Sequence, residues 1–269
     1  MTTVTDSIEA TYQVVRAAAL AAAILLVLAV ERWRPHERLR PAWGTNAGLF
    51  AIDALVTATV CGGCGWVVAA WATDRGFGLL NSLRVDKWAA VVAGVLVLDA
   101  VSYFWHRANH RVKLLWRFHQ VHHADASFHV TTGLRFHPGE LLLALPVRLG
   151  AILALGVPPV GVLVFEVVFG VANLLEHGNF DFPRRLEPIA SRLFITPALH
   201  RQHHAANWCD LNTNFGTVFS SWDRLAGTLH PSDGDRHVKT GLPGRNAAHA
   251  PSLRESLLLP FTRSVRTAR

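Results

Sequence analysis

Residues 88–110 read WAAVVAGVLVLDAVSYFWHRANH, an apolar run interrupted only by Asp99 and Ser102 that ends directly on His106 and His110. A helix from Trp88 to Trp105 rises about 27 Å, close to the thickness of a bilayer's hydrocarbon core. The H-x3-H spacing sets both imidazoles on one face of that helix, where they can chelate one ion. His106 then stands at the lipid boundary and His110 one turn beyond it. The stretch therefore reads as a membrane helix that delivers a metal-binding pair to its own end.

Downstream the pattern tightens. His119-Gln-Val-His122-His123 and His200-Arg-Gln-His203-His204 are both H-x2-H-H. Positions i, i+3 and i+4 of a helix share a face, so each triplet turns three rings toward one place. The pair and the two triplets supply eight imidazoles. His177, with Asn173 one turn before it, stands at the end of another apolar run. One ion takes about six ligands in most sites, so a set this large implies two metals. A lone H-x3-H arises by chance; three clusters on one side of the apolar runs do not. His36, His230, His237 and His249 stand apart and read as surface or hydrogen-bonded residues.

The bulk composition agrees with a bilayer. Of 269 residues 51% are hydrophobic and 17% charged, where an ordinary soluble domain has about 25% charged. The net charge of +7 does not point to nucleic acid, because the basic residues form no stripe interleaved with aromatics. They gather instead at the ends of apolar runs, as in Arg32, Arg34, Arg38 and Arg40, which is how a membrane protein marks its cytoplasmic side. Three cysteines supply neither a disulfide framework nor a thiolate site. Cys61 and Cys64 lie in a Gly-rich apolar run and read as small residues easing helix packing; Cys209 is expected to be reduced.

The fold expected is all-α, with about three membrane spans plus a bent helical hairpin and a cytoplasmic helical cap holding the dimetal site. The spans are Ala17 to Val30, about Ala47 to Trp71, and Trp88 to Trp105. The first lacks a cleavage site and carries its positive charges after the run, so it reads as a retained helix rather than a secretory signal. Leu141 to Leu175, with Arg148, Pro158-Pro159 and Glu166, reads as the hairpin, bent at the prolines. The Arg-rich segment after the first span places the N-terminus outside, and all the histidine clusters then fall on the cytoplasmic face, the plasma membrane's if the source is bacterial. One membrane-embedded domain over 1–269 is expected: N-terminal helices in 1–94, a histidine-bearing region in 95–230 and a basic cytoplasmic tail in 231–269. Leu257 to Phe261, between Arg254 and Arg263, is expected to lie on the membrane surface.

Imidazole suits zinc, copper, iron and nickel alike. The clusters contain no thiolate, which removes Fe–S and structural zinc, and iron can change oxidation state as O2 activation requires, which zinc cannot. At this point the chain resembles a family. Asp99 to His110, Leu115 to His123 and Thr196 to His204, with Asn214-Phe-Gly216 and Trp222 to Thr228, look like the boxes and flanking segments of the fatty acid hydroxylase / sterol desaturase superfamily. The resemblance covers about residues 95 to 230. Thr131 to Arg135 and the third box look most like the alkylglycerol monooxygenase group and its bacterial relatives.

The resemblance implies two iron ions held by His106, His110, His119, His122, His123, His177, His200, His203 and His204, with O2 as co-substrate. It implies electrons from a separate carrier of the ferredoxin or cytochrome type, and no Gly-x-Gly-x-x-Gly suggests a dinucleotide site in the chain itself. Asn173, where some relatives have a further histidine, is expected as a weak ligand, and His137 of His137-Pro-Gly-Glu140 as a residue beside the ligands or a lid. Asp99, Asp125, Glu176, Asp210 and Asp223 are candidates to accept the second ring N–H of a ligand; helix capping or pairing with arginines is the competing role for each. Arg107, Arg135 and Arg201 would screen those carboxylates or meet lipid headgroups. The implied activity is O2-dependent hydroxylation, or alternatively desaturation, of an unactivated C–H bond in a lipid entering from the bilayer. A membrane metal transporter or a non-catalytic relative is the alternative; transport predicts ionisable residues at mid-depth in the spans, where Asp99 is the one good candidate.

Overall fold

The computed structural model is all-helical and describes residues 2–39, 41–61, 63–231, 238–245 and 251–262. Its helices are α1 (Thr2–Trp33), α2 (Trp43–Val56), α3 (Cys64–Asp74), α4 (Leu79–Ser82), α5 (Lys87–Arg111), α6 (Lys113–His123), α7 (Pro138–Leu155) and α8 (Pro159–Glu176), followed by the short α9 (Glu187–Leu193), α10 (Pro197–His203), α11 (Ser221–Leu225) and α12 (Leu253–Leu258). Among the described residues there is no strand, only isolated bridges at Phe194–Phe219 and Ala205–Thr240. Five stretches are long and apolar enough to cross a membrane: Ala10–Trp33, Trp43–Ser82, Lys87–Arg111, Pro138–Leu155 and Pro159–Glu176.

Contacts at the helix ends set their directions. Glu31, near the end of α1, accepts from the backbone of Asn179 at 2.7 Å and Val130 at 2.8 Å. Asn46, near the start of α2, donates to Asp125 at 2.9 Å. These ends lie level with the histidine clusters. At the opposite end the tip of the α7–α8 hairpin meets Gly78, and Val157 packs on Gly94 of α5. The chain therefore climbs in α1, descends through α2 and α3, climbs in α5, and descends and returns in α7 and α8. Every histidine cluster falls at one end of the bundle.

Between lipid-facing helices packing rests on close approach, since lipid is as apolar as the side chains. A Cβ on Gly94 would lie 2.7 Å from Val157, and one on Gly170 would meet Leu20 at 2.4 Å. Ala69, Leu98, Ile152, Val157, Val162 and Phe165 form the buried cluster at this depth. The hairpin turns where expected. Gly156, at φ +71, closes α7 in a left-handed conformation that only glycine adopts readily, and Pro159 opens α8 with a ring already set for a first helical position.

Two expectations change. The run over 47–71 is not one helix: a π-type turn at Thr57–Cys61 and Gly63 at φ 69 separate α2 from α3, because Gly63 adopts a left-handed conformation that other residues resist. The end of the chain is not simply a trailing tail. Ser252 and Glu255 form a capping box that starts α12, and Ser256 and Leu259 bury themselves against the α6 end of the molecule. Leu258 and Phe261 remain exposed, as a surface segment requires. Arg40, His237, His249 and Arg263 lie outside the described residues.

Glu166, Arg16 and Arg148 find partners within the bundle. Glu166 of α8 accepts from Arg16 at 2.8 Å and from the Tyr12 hydroxyl. Arg148 stacks over Phe165 and Phe169 at 5.8 and 5.7 Å, a cation–π arrangement favoured where water is scarce. Partners of this kind are the usual condition for ionisable residues at membrane depth.

Candidate metal centre

Three short pieces of helix carry the histidines. The last turn of α5 presents His106 and His110. After the extended Val112, α6 doubles back and presents His119, His122 and His123. Thr196 caps α10, accepting from Leu199 N at 3.4 Å, and Pro197 sets the first turn, so the seven-residue helix holds His200 and His203, with His204 at its C-cap. His177 follows the end of α8.

All nine imidazoles converge, in two groups. His106, His110, His119, His123 and His203 form one; His122, His177, His200 and His204 form the other, and within each the ligand atoms lie within 4.8 Å of one another. The groups share a wall. The His123 and His204 rings stack at 4.2 Å, and His122 and His204 meet at 4.6 Å. Each triplet is thus split between the two groups: His122 and His123, adjacent in sequence, belong to different ones.

The free nitrogens fit a pair of cations. His119 Nδ1 donates to Glu140 Oε1 at 2.8 Å, His106 Nδ1 to Phe215 O at 2.8 Å, His177 Nδ1 to Asn173 O at 2.6 Å and His203 Nδ1 to Thr213 O at 2.7 Å. A neutral ring that donates from Nδ1 carries a lone pair on Nε2. The lone pairs face inward: His177 Nε2 lies 3.1 Å from His122 Nε2 and 3.0 Å from His200 Nε2, and His119 Nε2 lies 3.2 Å from His123 Nε2. Nε2 of His106, His110, His203 and His204 is buried with no hydrogen-bond partner in the protein. Acceptors gathered without donors cost free energy unless something positive binds among them.

Electrostatics keep six of the rings neutral. Burial, reinforced by the neighbouring imidazoles, drives His122, His123, His200 and His204 well below the ordinary imidazole range. Burial likewise holds His177 and His203 down to about 3. Neutral imidazole is the form that binds metal. Aromatic rings close the walls: Phe136 stacks on His122 at 4.6 Å, Phe215 lies 5.2 Å from His110, Phe128 lies 5.1 Å from His204, and Trp116 covers His110 and His123 at 5.1 and 5.6 Å.

The supporting residues differ from expectation. Asp99, Asp125, Asp210 and Asp223 bond no ring of either group. Asp99 accepts from Val218 N, Phe219 N and Trp222 Nε1. Asp223 accepts from Phe215 N at 2.8 Å and Gly216 N at 2.7 Å, and so steadies the carbonyl that holds His106. Asp125 accepts from Asn46 and Thr132, and Asp210 from Asn207 and Gln202. Backbone N–H groups claim Asp99 and Asp223, and side-chain amides and a hydroxyl claim Asp125 and Asp210. Glu176 comes nearest to expectation, 3.7 Å from His200 Nδ1.

Asn173 fixes His177 through its backbone carbonyl, while its side-chain amide donates to Gly133 O at 2.7 Å. His137 lies outside both groups: its Nδ1 accepts from Gly139 N at 2.9 Å, capping α7, and its Nε2 meets Leu257 O at 3.2 Å. Arg135, fully buried, donates to Val121 O, Asn46 Oδ1 and Ser256 Oγ rather than to lipid headgroups. Arg201 is buried and pairs with Asp181 at 2.5 Å. Of the lone histidines, His36 pairs with Asp181 and His230 with Gln202. Sequence reasoning missed Glu140, which accepts from both His119 and Asn109. Its place three residues after His137-Pro138, in the first turn of a helix facing the clusters, was the available signal.

Comparison with known proteins adds the following. The model of the family described as fatty acid hydroxylase matches residues 91–228. Ornithine lipid hydroxylase of Rhizobium tropici is 32% identical over 67% of this chain and 54% of its own length. Cholesterol 25-hydroxylase of Rattus norvegicus is 30% identical over 56% of this chain and 50% of its own. Alkylglycerol monooxygenase of Homo sapiens is 30% identical over 53% of this chain and 30% of its own. The chain therefore spans about half the length of the first two of these relatives and less of the third. No solved structure matches it.

Proposed function

The chain belongs to the fatty acid hydroxylase family, and from that premise we propose that it is a membrane monooxygenase that oxidises an unactivated C–H bond of a lipid with O2. The observation that carries the reading is the set of nine imidazoles in two groups, eight of them buried and His106 half-buried, with inward nitrogens that no protein donor satisfies. His106, His110, His119, His123 and His203 would hold one iron ion, and His122, His177, His200 and His204 the other. Bound iron supplies redox chemistry with O2 that no side chain here can perform.

The residues around the ions have separate tasks. Glu140 and the carbonyls of Phe215, Thr213 and Asn173 fix ring orientation and tautomer, so that each imidazole presents the correct nitrogen. Phe128, Phe136, Phe215 and Trp116 exclude water from the rings, which protects a reactive site from side reactions. The hairpin α7–α8 ends at the centre and is apolar along its length, so an acyl or isoprenoid chain can reach the site from the bilayer. Hydroxylation consumes one O2, two electrons and two protons per C–H bond and releases water. Those electrons come from a separate acidic one-electron carrier, of ferredoxin or cytochrome type, drawn to a basic cytoplasmic face.

The test is lipid analysis of cells with and without the chain, and with His122→Ala. The proposal expects a hydroxylated or desaturated lipid that appears only with the unaltered chain. Identical profiles for the unaltered chain and His122→Ala remove the catalytic claim.

A further inference from the structure

An exposed apolar face lies outside the spans, on the segment expected to be a cytoplasmic cap. Leu186, Ile189 and Leu193 follow the i, i+3, i+7 spacing of one helical face and are 51%, 61% and 59% exposed. Phe194 beside them is 47% exposed, and Leu225 of α11 is 80% exposed. Arg224 joins the two helices, reaching the carbonyls of Ser191 and Arg192 at 3.4 and 3.5 Å. Large apolar side chains gathered this way on a surface mark an interaction site.

The exposed charges of α9 and α11 are basic. Arg192 and Arg224 are exposed, as is Arg185 just before α9, while the acids of the two helices are engaged. Glu187 accepts from Thr196 at 2.5 Å and Asp223 is buried on the Phe215–Gly216 backbone; Asp181, exposed nearby, is paired with Arg201 and His36. Arginines beside an apolar face are the composition of a helix lying in an anionic headgroup layer.

The level of the patch points the same way. Val218, Phe219 and Trp222 hydrogen-bond Asp99, and Phe194 packs on Phe219 at 5.8 Å. Asp99 lies about 16 Å down α5 from His110, so this region reaches from the histidine-bearing end down alongside the apolar part of α5. On α5 itself Val92, Leu96, Val97 and Phe104 are exposed at 59%, 41%, 39% and 60%, which continues the apolar surface of the spans toward the patch.

We infer that α9 and α11 form an in-plane anchor, with Leu186, Ile189, Leu193, Phe194 and Leu225 inserted among the acyl chains of an anionic leaflet and Arg185, Arg192 and Arg224 on its phosphates. The anchor fixes how deep the histidine-bearing end sits against the bilayer, because the loop 215–222 ties it to both α5 and His106.

The full-length protein, with its three cysteines replaced by serine, is reconstituted in vesicles of phosphatidylcholine with and without phosphatidylglycerol. A fluorophore is placed at Ile189→Cys or Leu193→Cys, with Asp74→Cys, exposed at the opposite end of the bundle, as the aqueous reference. Lipids brominated in the acyl chain are expected to quench the labels at 189 and 193, and iodide to reach them about fivefold less than the label at 74. Arg185→Glu with Arg192→Glu is expected to abolish the extra shielding that phosphatidylglycerol provides. Iodide access at 189 equal to that at 74 overturns the inference in favour of a water-facing cap. Shielding from both quenchers overturns it in favour of a second protein copy on this face.

Discussion

Glu140 shows how one residue can carry more than its neighbours. Buried in the first turn of α7, it accepts the ring N–H of His119 and the amide of Asn109 through a single oxygen. Removing such a partner typically costs about 10- to 100-fold in metal affinity. Glu140→Ala is expected to lower iron affinity by about that factor, measured by competition with a chelator. Glu140→Gln, which keeps an acceptor for the ring, is expected to lose less; equal losses would assign the effect to packing instead. The converging histidines were legible because spacing on a helix is geometry, and H-x3-H and H-x2-H-H each define a face. Their supports were not, because carbonyls of Phe215, Thr213 and Asn173 leave no trace in a side-chain sequence. The aspartates nearest the boxes in sequence proved to serve backbone N–H groups and side-chain amides instead.

At the scale of elements, two joints decide whether the helices deliver their histidines. Arg135 joins α6, α2 and α12 through Val121, Asn46 and Ser256 with no exposed surface of its own. Arg135→Met leaves Asn46 Oδ1 and Ser256 Oγ without this donor and removes the positive charge beside Asp125, and breaking a buried charged network of this kind costs about 3–5 kcal/mol. Thermal unfolding in detergent is expected to fall by several degrees, with loosening of residues 251–262 visible by hydrogen exchange. An unchanged melting temperature would remove Arg135 from the stability account. Gly133 is the second joint: a Cβ there would meet Asn173 O at 3.0 Å and His177 Nδ1 at 3.1 Å. Gly133→Ala is expected to displace His177 and weaken the four-histidine group while sparing the other, read as loss of about one iron per chain; retention of both irons contradicts this. The hairpin was readable from Pro158-Pro159, whereas the break between α2 and α3 hides in a Gly-Gly pair that an apolar helix can also tolerate.

For the molecule as a whole, the sequence pattern and the helix directions agree that every histidine cluster lies at one end of a bundle with five membrane-length helices. What the sequence conceals is depth. The cap was expected in water, yet its exposed leucines and arginines and its hold on Asp99 set it against the spans. Metal is also expected to act as a structural cross-link, since it joins α5, α6, α8 and α10, which are distant in sequence. Stripping it should lower the unfolding temperature and leave secondary structure intact, measurable by circular dichroism before and after chelation; an unchanged midpoint denies the cross-link. The central claim is that nine imidazoles hold two irons, and the direct measurement is iron and protein quantified on one sample of the purified chain. About two irons per chain are expected, falling to about one for His204→Ala and for His110→Ala, one from each group. One iron or none in the unaltered protein after iron loading, or two that survive both substitutions, contradicts the account.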